Sequence, residues 1–447
     1  MLFDAENIKQ RLNTAISNTV NSPDKAVVCP DKDFTRNRVF TLETMIRIIL
    51  GMGGQSLPKE LYAYFNKCGI VEKSAKKSAF VQQRAKIKPE LFHELMREFN
   101  SLTNRNDDLY KGYKLLAVDG SDVYVAHNEN ADSYIQNGDK RGFNLLHLNA
   151  LYNLISHIYQ DATIVPKPKC SERTELLKML HASPADIPRL IVADRGYASL
   201  NTFEHLNRID NTDYLFRVKN KWIKEIADLP YEEFDKNITL HLRTGQTKAD
   251  KALYDTGKAK WVIPYSHHAG KYSERTWDFE DICDMNLRVV RIRINNTGDD
   301  STDFETIITS LNRFQFPLER IKEIYHLRWG IETSFRDLKY SVGLVNFHAK
   351  NEDYVMQEIF AKLVMYNFSE LIARAVIVKQ DTGNKWTYAV NFTMAIYLCL
   401  DYFRHRGNSP PDIDNLISDY TEPIRPDRAD KRKFRVKHPV WFLYRVA

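Results

Sequence analysis

Cysteine is scarce in this 447-residue chain and nowhere clustered: Cys29, Cys68, Cys170, Cys283 and Cys399 are an odd number, with no C-x-x-C pair among them. That scatter argues against a disulfide framework and a structural zinc site, and makes a reducing cytoplasm the expected setting. Long apolar runs are absent too. No segment approaches the ~18 apolar residues that a membrane span requires, and the opening MLFDAENIKQRL has no basic-then-apolar leader pattern, so neither membrane nor export is expected. Nor does charge of one sign dominate. There are 64 Lys and Arg against 58 Asp and Glu, a net +6 that alone says little about partners. No repeat or low-complexity tract interrupts the chain.

What is present points to a folded protein of two or three domains, since 43% hydrophobic and 12% aromatic residues suffice for real cores. Residues 1–106 read as a helical domain, with Pro89 opening its last helix where the missing N–H costs nothing. Its basic, Gln-bearing segment EKSAKKSAFVQQRAKIK fits a DNA groove and a solvated face about equally. Over 107–218 the pattern turns to strands. LLAVDGSDVYVA, LLHLNALYNLI and HIYQDATIV read as an antiparallel meander; the helix SERTELLKML, capped by Ser171, the strand RLIVAD, the helix LNTFEHLNRI and the strand DYLFRV follow. This predicts an α/β fold, a mixed sheet flanked by helices. Residues 219–312 read as a β-rich insertion and 313–350 as a return to the core. Residues 351–447 read as long amphipathic helices followed by a tail. From 421 to 447 eight Lys/Arg face three acidic residues, so most of the net charge sits there, beside Phe434, Trp441, Phe442 and Tyr444. Such a segment suits a phosphate backbone or plain solvent.

The rest of the chain is organised around Ile321–Val342. On a helix at about 100° per residue, Tyr325, Arg328, Glu332 and Lys339 share an arc of roughly 60°, beside an apolar stripe of Ile324, Leu327, Ile331, Phe335, Leu338 and Val342. Alone, a Glu between Arg and Lys is an ordinary ion-pair ladder. Two strands change that weighting. LLAVD and LIVAD each end an apolar run in a carboxylate, Asp119 and Asp194, with Gly120 or Gly196 within two residues. An isolated Asp at a strand end is usually a turn or capping residue. Neighbouring strands would bring this pair together, and Glu332 would join if its helix packs alongside. Three carboxylates with no His or Cys at ligand spacing suit Mg²⁺ or Mn²⁺ rather than zinc. Two such ions activate a water or a 3′-hydroxyl on one side of a phosphodiester and stabilise the leaving oxygen on the other.

At these residues the sequence resembles the bacterial insertion-sequence transposases of the DDE class, the cut-and-paste branch with a ribonuclease-H-like core. Tyr325, Arg328, Glu332 and Lys339 match that branch's Y-(2)-R-(3)-E-(6)-K signature. The DGS at Asp119 and the DRGY at Asp194 look like its first and second catalytic motifs, and the β-rich block lies where it carries its insertion. The resemblance implies that Asp119, Asp194 and Glu332 hold two Mg²⁺ ions, with Mn²⁺ as a substitute, and catalyse DNA cleavage and joining. It further implies contacts of Tyr325 and Arg328 with phosphates and of Lys339 with the DNA backbone. A hairpin on the DNA end, double-stranded DNA with terminal inverted repeats as partner, a homodimer when DNA is bound and no small-molecule substrate complete the expectation. Arg195 is expected either to touch phosphate or to neutralise the acidic cluster. Trp261, Trp277 and Trp329 are candidates for stacking on a flipped base, and each is otherwise a core or surface aromatic. Asp122 reads as a surface or turn carboxylate, His267 and His268 as loop residues, and Asp161 as a strand residue that could sit behind the site. Two other readings stay open: a nuclease on the same core that does not join DNA, and a non-catalytic DNA-binding protein derived from a transposase.

Overall fold

The computed structural model describes residues 4–36, 38–67, 76–104, 108–183, 185–264, 276–294, 303–380, 383, 385–405, 412–424 and 443–444. His267, His268, part of the basic segment before residue 76 and most of the basic tail lie outside them. The first strand is preceded by α1 (Ala5–Val20), α2 (Pro23–Ala26), α3 (Leu42–Leu50), α4 (Leu57–Lys67), α5 (Lys77–Arg84) and α6 (Glu90–Thr103). In α6 the buried positions Leu91, Phe92, Leu95, Met96 and Phe99 recur at helical spacing, so one face packs inward.

The strands begin as a meander: β1 (Lys114–Val125), β2 (Tyr134–Asn137), β3 (Lys140–Asn153) and β4 (Tyr159–Pro166). After it α7 (Glu172–Ala182), β5 (Arg189–Ala193), α8 (Leu200–Arg208) and β6 (Thr212–Val218) alternate. Both helices begin at serine caps. Ser171 accepts from the Thr174 N–H at 3.4 Å and Ser199 from that of Thr202 at 3.0 Å, satisfying donors that a first turn leaves orphaned. β3 pairs antiparallel with both β1 and β4, and β1, β5 and β6 run parallel. The spatial order β4-β3-β1-β5-β6 is the ribonuclease-H-like arrangement, and β5, buried at all five residues, is its central parallel strand.

The β-rich block does not form a layer of its own. Past α9 (Lys224–Ala227) it contributes β7 (Phe234–Arg243), α10 (Lys248–Asp255), β8 (Lys260–Trp261), a short parallel pair of β9 (Ile263–Pro264) and β10 (Thr276–Trp277), β11 (Ile282–Ile294) and β12 (Asp303–Thr309). β12 adds antiparallel to β6, and β11, β7 and β8 follow, so one sheet continues through both parts. Alternation along β1 gives that sheet two dry faces. Leu115 and Ala117 join the core that holds the helical ends of the chain, whereas Leu116 and Val118 join the core under α7 and α8.

The remaining helices are α11 (Leu318–Leu327), α12 (Trp329–Tyr340), α13 (Glu352–Ala375), α14 (Phe392–Arg404) and α15 (Ile413–Ser418). α14 is amphipathic, as its pattern predicts, but α13 is buried without a break from Gln357 to Ala373. It is a central helix on which α1, α3, α6 and α14 pack, because its polar side chains find partners inside. Glu358 pairs with Arg84 of α5 at 3.0 Å, and Asn367 donates to the Tyr159 carbonyl at 2.8 Å. Asp161, 2% exposed, accepts from Arg97 at 2.9 Å and sits 2.6 Å from His93, which ties β4 to α6. Among the described residues no helix is long and apolar enough to cross a membrane.

Candidate active site

The parallel register of β1 and β5 ends at the pair Val118 and Ala193, so Asp119 and Asp194 occupy the next position on adjacent strands. β5 ends at its carboxylate as the sequence suggests, but β1 does not: it runs on past Asp119 to Val125, still paired with β3, and it is only its parallel pairing with β5 that stops before Asp119. There Asp119 accepts from the Gly120 N–H at 2.8 Å and Asp194 from that of Arg195 at 2.7 Å. Glu332 comes from α12, which packs on β1. Gly330 faces this contact: a Cβ at that position would stand 3.3 Å from a terminal methyl of Leu154, a tight fit that bare backbone avoids.

The expected single helix over Ile321–Val342 is interrupted. At Arg328 the chain tightens, with the Arg328 N–H bonded three residues back to Tyr325 and the Ile331 N–H likewise to Arg328, so α11 ends and α12 begins. Tyr325 thus lies on α11, Arg328 at the junction, and Glu332 and Lys339 on α12. The interruption turns Arg328 inward. It is 3% exposed, lies 3.0 Å from Glu332, and stands 5.6 and 5.3 Å from the Tyr325 and Trp329 ring centres. Burial opposes the Arg328 charge, but Tyr325, Asp194 and Glu332 outweigh it and hold the group more firmly protonated.

One guanidinium therefore faces several carboxylates, and it does not neutralise them all. Burial first, then the charges of Glu332 and Glu172, push Asp119 up to about 6 against the pull of the Gly120 N–H and Arg328. Asp194 has a separate cation that sequence reasoning missed. Arg217 of β6 lies 4.0 Å from Asp194 and 3.1 Å from Glu305 of β12, and burial raises the Glu305 carboxyl. Tyr325 is buried beside them, its phenol pushed up by desolvation.

The structure thus brings Asp119, Asp194, Glu332, Arg328 and Tyr325 together. Arg195 is exposed in the turn after Asp194, and Lys339 is half-buried two turns along α12 from Glu332. Among the described residues no group of three or more His, Cys, Asp or Glu side chains is close enough to hold an ion as they stand. The donor set nevertheless fits a hard divalent cation, because it is carboxylate oxygen throughout. Trp277 is excluded as an open stacking surface. It is 1% exposed and its indole N–H donates to the Glu280 carbonyl at 2.9 Å. Trp261 is half-buried on β8, and Trp329 is 44% exposed beside Arg328. Asp122 lies within β1, not in a turn, and pairs with buried His147 at 2.5 Å.

A family model described as the transposase DDE domain matches residues 110–368, more than half of the chain and a span that contains Asp119, Asp194 and Glu332. The chain belongs to the DDE transposases. It is 23% identical over 211 residues to a Synechocystis sp. protein named as the transposase for insertion sequence element IS4SA. That match takes in 46% of this chain and 47% of the relative, so the chain spans about half the length of the curated relative it matches. Among solved structures, the piggyBac transposase in a synaptic complex with hairpin DNA superposes with a TM-score of 0.43 at 10% identity, covering 96% of this chain and 87% of that one.

Proposed function

We propose that this chain cuts and joins DNA at the ends of an insertion sequence, in the cytoplasm and as a homodimer on its DNA, because two ends need two active sites. Asp119, Asp194 and Glu332 would hold two Mg²⁺ ions, which when bound activate the attacking oxygen and stabilise the leaving one. The protein's own part is to supply and hold the charges. Burial keeps the Asp119 carboxylate under-neutralised, so it favours an incoming cation. Arg328 carries the counter-charge behind Glu332 and, with Tyr325, meets the phosphate that enters the cluster. Arg195 beside Asp194 and Lys339 along α12 take the DNA backbone, and residues 1–106 add contacts to the inverted repeat. A hairpin on the cleaved end completes the reading. The observation that carries it is the pairing of Asp119 with Asp194 on adjacent parallel strands, with Glu332 brought to the same edge by α12.

The test is cleavage of the DNA flanking the gene in Mg²⁺, comparing wild type with Glu332→Gln. End-specific cuts and hairpins that vanish in the variant are expected, with DNA binding retained. Binding without cutting by either protein would favour a non-catalytic DNA-binding role, and hydrolysis without strand transfer from a pre-cleaved end would reduce the protein to a nuclease.

A further inference from the structure

A second set of charged side chains meets the same strand ends from the opposite face of the sheet. Alternation along β1 turns Asp119 toward the α12 side and Gly120 and Asp122 toward the α7 side. On that side His147 of β3, 3% exposed, stands across from Asp122 in the strand register. Its Nδ1 is 2.5 Å from Asp122, and its buried Nε2 is 3.1 Å from Glu172 at the start of α7, though not in hydrogen-bond alignment. Lys167 closes the group, 3.1 Å from Asp122.

The glycines that follow the two catalytic aspartates show where Glu172 is aimed. A Cβ on Gly120 would lie 2.3 Å from His147 Nε2 and 3.4 Å from one oxygen of Glu172, and a Cβ on Gly196 would lie 3.3 Å from the other oxygen. Glu172 therefore stands between the backbone at Gly120 and that at Gly196, one oxygen toward each, while Gly120 leaves the room that His147 fills.

We propose that Glu172 is a fourth carboxylate of the active site, reaching the Asp119–Asp194 edge from the face opposite Glu332, and that His147, anchored by Asp122, is the positioning residue that aims it. This rests on the reading of Asp119, Asp194 and Glu332 as the cation-holding set. Glu172 adds an oxygen donor to that set, while His147 fixes its direction as histidine–carboxylate pairs fix groups around metal sites.

Mn²⁺ binding by the full-length protein without DNA, measured by calorimetry or by loss of the free-ion electron paramagnetic resonance signal, tests this apart from catalysis. Glu172→Gln keeps the size of the side chain and an oxygen facing His147. It is expected to weaken Mn²⁺ binding about 10- to 100-fold with at most a modest fall in the metal-free melting temperature, since the Glu172 charge also faces His147 and Lys167. His147→Gln and Gly120→Ala, which displaces the imidazole, are expected to weaken it in the same direction. Should Glu172→Gln not fold, Glu172→Asp, one methylene short with its charge intact, is expected to lose part of the affinity. Mn²⁺ affinity within twofold of wild type in a folded Glu172 variant, together with loss in Asp119→Asn, would overturn this proposal and leave the three-carboxylate reading standing. Binding that survives Asp119→Asn would overturn both.

Discussion

Arg84 and Arg328 are both buried against carboxylates, and their surroundings are finished differently. Arg84, 2% exposed, spends all three guanidinium nitrogens: Nε on Gln357 at 2.8 Å, Nη1 on Glu358 at 3.0 Å and Nη2 on the Tyr354 carbonyl at 2.6 Å. His348 adds its backbone N–H and a ring nitrogen to Glu358. Burial alone would raise the Glu358 carboxyl, yet Arg84 and His348 hold it near 2. Arg328, 3% exposed, gives one nitrogen to Glu332, and its buried Nε has no hydrogen-bond partner. The nearby Asp119 is pushed the other way, up to about 6. The first cluster is complete within the chain and serves the fold. The second carries more anion than the protein neutralises, which is the condition of a site built to receive cations.

The sharpest way to break this contrast is to treat the two clusters alike. Glu332→Gln, Asp119→Asn and Asp194→Asn are each expected to lower DNA cleavage by roughly 10³-fold, a loss of several kcal/mol of transition-state charge stabilisation, with the fold retained by circular dichroism. If any one of them melted the protein instead, that carboxylate would belong with Glu358 as a structural group. Arg84→Met should do the reverse. It leaves Glu358 buried without its main partner, for a destabilisation of about 3–5 kcal/mol read by denaturant titration, with cleavage per folded molecule unchanged. The pH dependence has a definite sign. Because the folded Glu358 carboxyl lies below its ordinary value of 4.5, its contribution is present above that value and disappears as pH falls toward 2. The gap between wild type and Arg84→Met should close over that window.

Asp119 should show the opposite slope. Its folded value of about 6 lies above the ordinary 3.8, so its ionisation costs stability that wild type loses as pH rises through this interval. Metal-free Asp119→Asn is therefore expected to be more stable than wild type at pH 7.5, by about 3 kcal/mol at most, and equal to it once pH falls below the ordinary value of 3.8. Adding Mg²⁺ should reverse the order, because only the wild type gains from binding. A variant less stable at every pH would mean that Asp119 is satisfied inside the protein.

The contrast was half legible in the sequence. Asp119 and Asp194 declared themselves because an apolar run broken by a carboxylate is a local pattern, although β1, unlike β5, continues beyond it, and the Ser171 cap of α7 is equally local. Glu332 was legible from its spacing to Tyr325, Arg328 and Lys339, although the helical wheel behind that reading assumed one helix. The interruption at Arg328 shows in the hydrogen bonds that reach back three residues instead of four, and leaves no trace in periodicity. α13 read as amphipathic because its polar residues imply a wet face, when in fact they are paired in the interior. Arg217, Glu305, His147 and Glu172 passed unnoticed for a related reason. Each is an ordinary charged residue whose meaning depends on a neighbour on another strand or helix; Asp122 is the exposed carboxylate that was expected, but it lies in a strand and not in a turn, and its partner His147 is 25 residues away.

The smallest effect is expected at Lys339, and it tests where the boundary between the two kinds of charge falls along α12. Lys339 lies two turns beyond Glu332 and is half-buried, so its aliphatic stem can pack while its ammonium reaches the surface. If that ammonium neutralises a DNA phosphate, Lys339→Ala should weaken binding only a few-fold and to the same extent on specific and unrelated duplexes. The slope of log K against log salt should shrink by about one, the signature of one fewer released counterion. Fluorescence anisotropy across a salt series reads both quantities. An unchanged slope with a lowered melting temperature would class Lys339 with Arg84, a cation spent on the fold, and would confine the functional charge of α12 to its first turns.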